Sequence, residues 1–240
     1  MKYIEHIIEP DRLLLSWQPP SGPDRLRRFV AALVRKADDA DLVYLVDTED
    51  FRLAQEKGFS DYPGFPADVR EHEGVLSAFL KRLPPRTRRD FGVFLNAIRI
   101  TERDRELISD FALLGYSGAK LPDDDFTIVH PFSTAQPPFE FLLNVQGYRY
   151  YAKNLPYDRL AIDMAAHFEA ELENAQDPEA IRVMIEGSKV GYVSRGLATQ
   201  LKQWIQRGYA ITASLERING TAEKPSILLF VTVRNTVSGQ

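Results

Sequence analysis

Ser117 sits in GYSGA (Gly115–Ala119), close to the G-x-S-x-G pattern that places a nucleophile on a strained strand-to-helix turn. The fifth residue is Ala119 rather than Gly, and the run before it reads as helix, so the expectation is a helix C-terminus followed by a turn. A hydrolase built on Ser117 would also need a base that no neighbouring residue supplies. Lys120 follows these glycines without the G-x-x-x-x-G-K-[ST] spacing of a phosphate loop. His6, His72, His130 and His167 share no metal-binding spacing, so ordinary surface or partly buried histidines are expected. Asp123, Asp124 and Asp125 are expected to keep a loop tip solvated. The three arginines of LPPRTRR (Leu83–Arg89) are expected on a solvated charged face. No catalytic residue, metal site or cofactor is expected.

A different polar set runs through NAQDPEAIRVMIEGSKVGYVSR, from Asn174 to Arg195. Asn174 and Asp177 are turn formers, because their side chains bond nearby backbone groups. Ala180, Ile181, Val183, Val190 and Val193 have the pattern of core positions. Tyr150 and Tyr192 can fill space or face a ligand.

Composition limits what these residues can serve. Hydrophobic residues make up 44% and charged residues 27%, the range of a globular protein rather than a disordered one. No apolar run approaches the about 20 residues of a membrane span, and Met1–Glu5 opens without a signal-peptide core. There are no cysteines, which removes disulfides, thiolate metal sites and Cys nucleophiles. A cytoplasmic location is the expectation, with no membrane partner. Residues 1–135 hold 19 basic against 23 acidic residues, and residues 136–240 hold 11 against 11. A sequence-independent duplex binder carries a clear excess of positive charge, so any nucleic-acid role has to rest on a local site.

HPFSTAQPPFE (His130–Glu140) reads as the boundary between two domains, 1–135 and 136–240, since Pro137-Pro138 suits neither a helix nor a central strand. In the first domain, strands are expected at Asp11–Trp17, Leu42–Val46 and Phe126–Val129, and Arg27–Arg35 fits strand or helix equally. Helices are expected over Asp47–Lys57, Gly74–Leu83, a segment capped by Thr87, and Glu102–Leu114. In the second domain, Phe141–Tyr151 starts apolar and ends in GYRYY. Strands follow at Phe168–Leu172, Ala180–Ile185, Lys189–Val193, Tyr209–Ile218 and Ser226–Arg234. The clearest helix is Gly196–Arg207, with Leu197, Leu201, Trp204 and Ile205 at helical spacing and Gly208 closing it. The fold class is α+β: a mixed α/β domain, then a small barrel with one packed helix.

GYRYY, the N-x-x-D-x-x-A-I-x-V run from Asn174 to Val183, and KVGYVSR (Lys189–Arg195) occur in that order before a helix. This order resembles the HIRAN domain family over roughly Phe139 to Val233. That family includes the end-binding module of SNF2-type DNA-remodelling helicases and stand-alone bacterial members. The resemblance implies an OB-like β-barrel with a packed helix and a pocket for the 3′ end of single-stranded DNA. It also implies roles. Tyr150 matches the family's stacking aromatic, Asn174 and Asp177 match the Asn and Asp of its turn, and Arg195 matches the basic residue after the Gly-Tyr strand. Stacking contributes about 1–3 kcal/mol per base, an Asp can accept from a terminal hydroxyl, and a basic residue can pair with a phosphate. One position departs: where the family reads Asn-Pro-Tyr-Asp or Asn-Pro-His-Asp, this chain reads Asn174-Ala175-Gln176-Asp177. Gln176 can hydrogen-bond a base edge but stacks less well than a ring.

The first half is similar, less specifically, to the N-terminal subdomain of HipA-type toxin kinases. The similarity rests on AFLKRLPPRTRRDF (Ala78–Phe91) and FALLGYSGAKLPDDDFTIV (Phe111–Val129), and nothing resembles the kinase core or its ATP site. It implies a module that contacts a protein partner. The leading expectation is a non-enzymatic bacterial protein that binds single-stranded or 3′-ended DNA through Tyr150, Asn174, Gln176, Asp177 and Arg195. The alternative is a protein-interaction component of a HipA-like toxin–antitoxin or defence system.

Overall fold

The computed structural model describes residues 1–22, 26–122, 124–174, 177–221 and 225–236. The chain divides into two compact units, one formed by Ile8–Thr134 and one by Ala135–Gln240 together with Met1–Ile7. Residues 1–7 thus lie with the C-terminal unit, although the sequence pattern assigns them to the first domain. A buried carboxylate explains their place. Glu140, 3% exposed, accepts the backbone N–H groups of Glu5 (3.0 Å) and His6 (3.1 Å) and pairs with Arg234, while Ile4 is fully buried.

In the unit Ile8–Thr134 the strands are β1 (Arg12–Trp17), β2 (Arg28–Arg35), β3 (Ala40–Tyr44), β4 (Glu71–His72) and β5 (Phe126–Val129). They form an antiparallel sheet in the order β4-β3-β2-β1-β5. The ambiguous β2 is a strand. Val30 to Leu33 are buried without alternation, so the run carries no period-2 signal. Helix α1 (Glu49–Glu56) starts at Thr48, whose hydroxyl accepts the Phe51 N–H.

Three helices differ from the sequence reading. Helix α2 is only Leu76–Leu80: Asp41 accepts from Gly74 and Asp39 from Leu76 at its start, and past Leu80 the amides of Arg82 and Leu83 bond three residues back, to Phe79 and Leu80, rather than four. Helix α3 (Phe91–Ala97) begins after Asp90 rather than at Thr87, and the Asp90 carboxylate is held by Arg88 at 2.6 Å instead of capping. The expected helix Glu102–Leu114 is a 3₁₀ turn, Glu102–Asp104, followed by α4 (Asp110–Ser117) with Ser109 as its N-cap. Arg86 explains the break. Its guanidinium takes the carbonyls of Arg105 and Ile108, which a continuous helix would need for its own ladder.

In the C-terminal unit the elements are β6 (Phe139–Asn144), α5 (Tyr148–Tyr151), β7 (Ala165–Ala170), β8 (Ile181–Ile185), β9 (Ser188–Tyr192), α6 (Arg195–Gln206), β10 (Ala210–Gly220) and β11 (Pro225–Arg234). The antiparallel sheet runs β6-β11-β10-β7-β8-β9. GYRYY is a single helical turn entered through Gly147 in the left-handed region, not a strand end. Helix α6 buries Leu197, Leu201 and Trp204, and the Trp204 ring meets Phe139 edge-on at 5.0 Å. Ile205, expected on that stripe, is 47% exposed on its flank.

Among the described residues, no continuous ladder closes this sheet into a barrel. Its edges are joined where Gln146, just beyond β6, bridges Tyr192 through N–H···O bonds of 2.8 and 2.9 Å. Gly191 makes that approach possible. It has a φ of 151°, and a Cβ there would overlap the Gln146 carbonyl oxygen.

Candidate nucleic-acid interface

The bridge sets Tyr192 beside three elements that bring polar side chains together. Glu171 follows β7, Lys189 and Tyr192 belong to β9, Tyr151 ends α5, and Asn174 lies between β7 and β8. Lys189 Nζ lies 2.7 Å from Glu171 Oε1 and donates to the Tyr192 hydroxyl at 2.6 Å. That hydroxyl donates to Glu171 Oε2 at 2.7 Å. Asn174 Nδ2 donates to the same carboxylate oxygen (2.8 Å) and to the Tyr192 hydroxyl (3.1 Å). The Lys189 ammonium also sits 4.8 and 4.3 Å from the ring centres of Tyr151 and Tyr192, a cation–π arrangement.

The ionisation states follow. Bonds from Lys189 and Tyr192 hold the Glu171 carboxyl down at about 2, against the cost of its burial. Burial disfavours the Lys189 ammonium, but Glu171 and Tyr192 outweigh it and raise the group above its ordinary value. Burial first, then Tyr151 and Glu171, push the Tyr192 phenol up to about 12. At neutral pH the set is a carboxylate, an ammonium and a neutral phenol.

From this cluster two hydrogen bonds lead on to Asp177 and Glu179. Asn174 Oδ1 accepts the Asp177 N–H at 3.0 Å, and Asp177 Oδ1 accepts the Glu179 N–H at 2.9 Å. The other oxygen, Asp177 Oδ2, faces Arg195 Nε at 3.5 Å, at the first residue of α6. The Arg195 side chain is 47% exposed. Lys202 of α6 ties down the same turn, through the Pro178 carbonyl (3.2 Å) and Glu179 (2.9 Å).

The structure therefore brings together Asn174, Asp177 and Arg195. Tyr150 is on α5, 66% exposed, with the Arg149 guanidinium 4.5 Å from its ring centre. Gln176 lies outside the described residues. Sequence reasoning passed over Glu171 and Lys189. Their one signal is an opposite charge three residues ahead of Asn174 and of Tyr192, which means nothing until strand register pairs them.

Other chemistry-bearing residues are engaged within the fold. The Ser117 hydroxyl donates to the Leu113 carbonyl at 2.7 Å, inside its own helix. Asp124, expected to solvate a loop tip, pairs with Arg82, whose side chain is 3% exposed and also donates to the Ala119 carbonyl at 2.7 Å. Asp123 lies outside the described residues. Arg86 bonds Asp110 at 2.6 Å and is partly covered, whereas Arg88, paired with Asp90 at 2.6 Å, is 58% exposed, on the solvated face expected. His130 is buried between Tyr116 and Phe132. Among the described residues, no helix is long and apolar enough to cross a membrane.

Residues 138–237 match the family model of the HIRAN domain, a span that contains every residue of this cluster and turn. Among solved structures, the crystal structure of the HIRAN domain of human HLTF aligns with 39% of this chain and 74% of its own, at 21% identity and a TM-score of 0.33. A crystal structure of a protein from Lactobacillus plantarum aligns with 39% of this chain and 92% of its own, at 21% identity and a TM-score of 0.32. No curated protein matches the chain. The similarity of the first half to HipA-type subdomains draws no support from these matches.

Proposed function

We propose that the region matching the HIRAN domain binds single-stranded DNA and takes the 3′ terminus at the Asn174–Asp177 turn, as a binding protein rather than an enzyme. The observation that carries this reading is the pairing of Asp177 with Arg195 at 3.5 Å on a turn pinned by Asn174, inside the matched span. A carboxylate only accepts hydrogen bonds, and a strand terminus offers it a hydroxyl donor. A half-exposed guanidinium beside that carboxylate offers a cation to the neighbouring phosphate. The exposed Tyr150 ring adds a stacking surface for a base. The balance of 11 basic and 11 acidic residues over 136–240 supports contact at a local site rather than along a duplex.

The unit Ile8–Thr134 is proposed to contact a protein partner. What supports this is an open groove of about 500 Å³ that mixes apolar side chains, among them Pro84, Pro85 and the 69% exposed Val93, with the charges of Lys81, Arg88 and Asp90.

The test is anisotropy titration of two short single strands, one ending in a 3′-hydroxyl and one in a 3′-phosphate. The hydroxyl strand should bind more tightly, because Asp177 accepts from it and repels the added phosphate. Asp177→Asn should narrow the difference, and Arg195→Gln should weaken both strands. Equal affinities for the two strands, or no binding, would refute the end-reading role.

A further inference from the structure

Glu171 and Lys189 lie behind the turn rather than on it. Their side chains are about one-fifth exposed, against 47% for Arg195 and 66% for Tyr150. Glu171 receives three donors: Lys189 Nζ, the Tyr192 hydroxyl and Asn174 Nδ2. With its amide nitrogen held there, Asn174 has one orientation left, with Oδ1 toward the Asp177 N–H. Asp177 in turn spends one oxygen on Glu179 and keeps the other toward Arg195. The order of contacts is continuous, from the ion pair through the amide and the turn to the carboxylate.

We infer that the Glu171–Lys189 pair is a positioning device for the DNA-end site. It fixes the Asn174 amide and the Tyr192 hydroxyl and so presents Asp177 and Arg195, without touching DNA. The inference rests on the DNA-end reading for its functional meaning. Hydrogen bonds in such a network support one another at low local dielectric, and the loss of one member loosens the rest. Lys189 is the residue most easily mistaken for a phosphate contact. Its ammonium is instead directed to Glu171 and Tyr192, over two aromatic rings.

The sign of one substitution separates positioning from direct contact. Glu171→Gln removes a negative charge near the bound polyanion, so electrostatics alone would tighten binding. Positioning predicts that E171Q weakens binding of the 3′-hydroxyl strand about tenfold, equivalent to about 1.4 kcal/mol. Lys189→Met should weaken it similarly and leave the slope of log affinity against log salt unchanged. A residue that neutralises one phosphate of a single strand would lower that slope by about 0.7.

The experiment is salt-dependent anisotropy of the full chain and both variants, with hydrogen exchange of the Asp177 amide measured without DNA. Unchanged circular dichroism verifies folding. Weakened binding at constant slope, with faster Asp177 exchange in both variants, is the expected result. Equal or tighter binding by E171Q overturns the inference, and so does a slope that falls in K189M. Unchanged Asp177 exchange overturns it whether or not DNA binds. If the wild-type chain binds no strand while exchange rises in both variants, the DNA-end reading fails and the positioning device stands.

Discussion

Gly191→Ala is a direct test of how the site is held. A Cβ at this position would overlap the carbonyl oxygen of Gln146 and lie 2.6 Å from Val145 Cγ1. Neither can step aside cheaply, since the carbonyl belongs to the bridge and Val145 is 5% exposed in the core. Relieving the overlap opens the bridge and loses the 2.8 and 2.9 Å bonds between Gln146 and Tyr192. Two such bonds contribute about 1–3 kcal/mol together, and the overpacking adds about 1–3 kcal/mol, so the expected loss is roughly 2–6 kcal/mol. The two units are separable in one urea titration because Trp17 belongs to one and Trp204 to the other. With 5-fluorotryptophan in both positions, the Trp204 midpoint should fall and the Trp17 midpoint should stay, at unchanged m-values. DNA affinity should drop as well, because Tyr192 is displaced from Glu171 and Asn174. A Trp204 midpoint shift worth less than about 0.5 kcal/mol, the size of an ordinary surface change, would refute the reasoning.

Tyr150→Ala should weaken single-strand binding by about 1–3 kcal/mol and Tyr150→Phe by far less, since the ring supplies the stacking. At 66% exposure neither change should shift the urea midpoint, and equal affinities for the two variants would count against stacking. The unit Ile8–Thr134 should lose stability in mild acid through His130. Burial lowers this imidazole from its ordinary 6.5 to about 4. Its Nε2–H donates to the Ile8 carbonyl at 3.1 Å while Nδ1 accepts the Phe132 N–H at 3.0 Å, so a second proton removes an acceptor. The folded value lies below the unfolded one. The stabilisation is therefore complete above pH 6.5 and is lost as pH falls from 6.5 toward 4. The Trp17 midpoint followed across this window should decline and should flatten in His130→Asn. A wild-type midpoint constant from 6.5 to 4 would contradict the assigned tautomer.

Much of the secondary structure was legible because its causes are local. Leu197, Leu201 and Trp204 mark α6 by spacing alone, and Glu186-Gly187 between two apolar runs marks the β8–β9 hairpin. At the largest departure a side chain outside the segment had taken its backbone groups: Arg86 ended the helix expected from Glu102. The turn residues Asn174, Asp177 and Arg195 could be named from their order, but the cluster behind them could not. Glu171 is 18 residues from Lys189 and 21 from Tyr192, and only the pairing of β7, β8 and β9 sets them within bonding distance.

The sequence by itself determined the α+β class, most of the strands and the amphipathic α6, and the ordered motifs that match the HIRAN domain over 138–237. These depend on periodicity, turn chemistry and residue order, which are properties of short stretches of chain. Tertiary structure decided the rest. It placed Met1–Ile7 with the C-terminal unit through Glu140, joined the sheet edges at Gly191, and built the Glu171–Lys189–Tyr192 support under Asn174. Each is a contact between residues far apart in sequence, and strand register and burial, rather than local propensity, set such contacts.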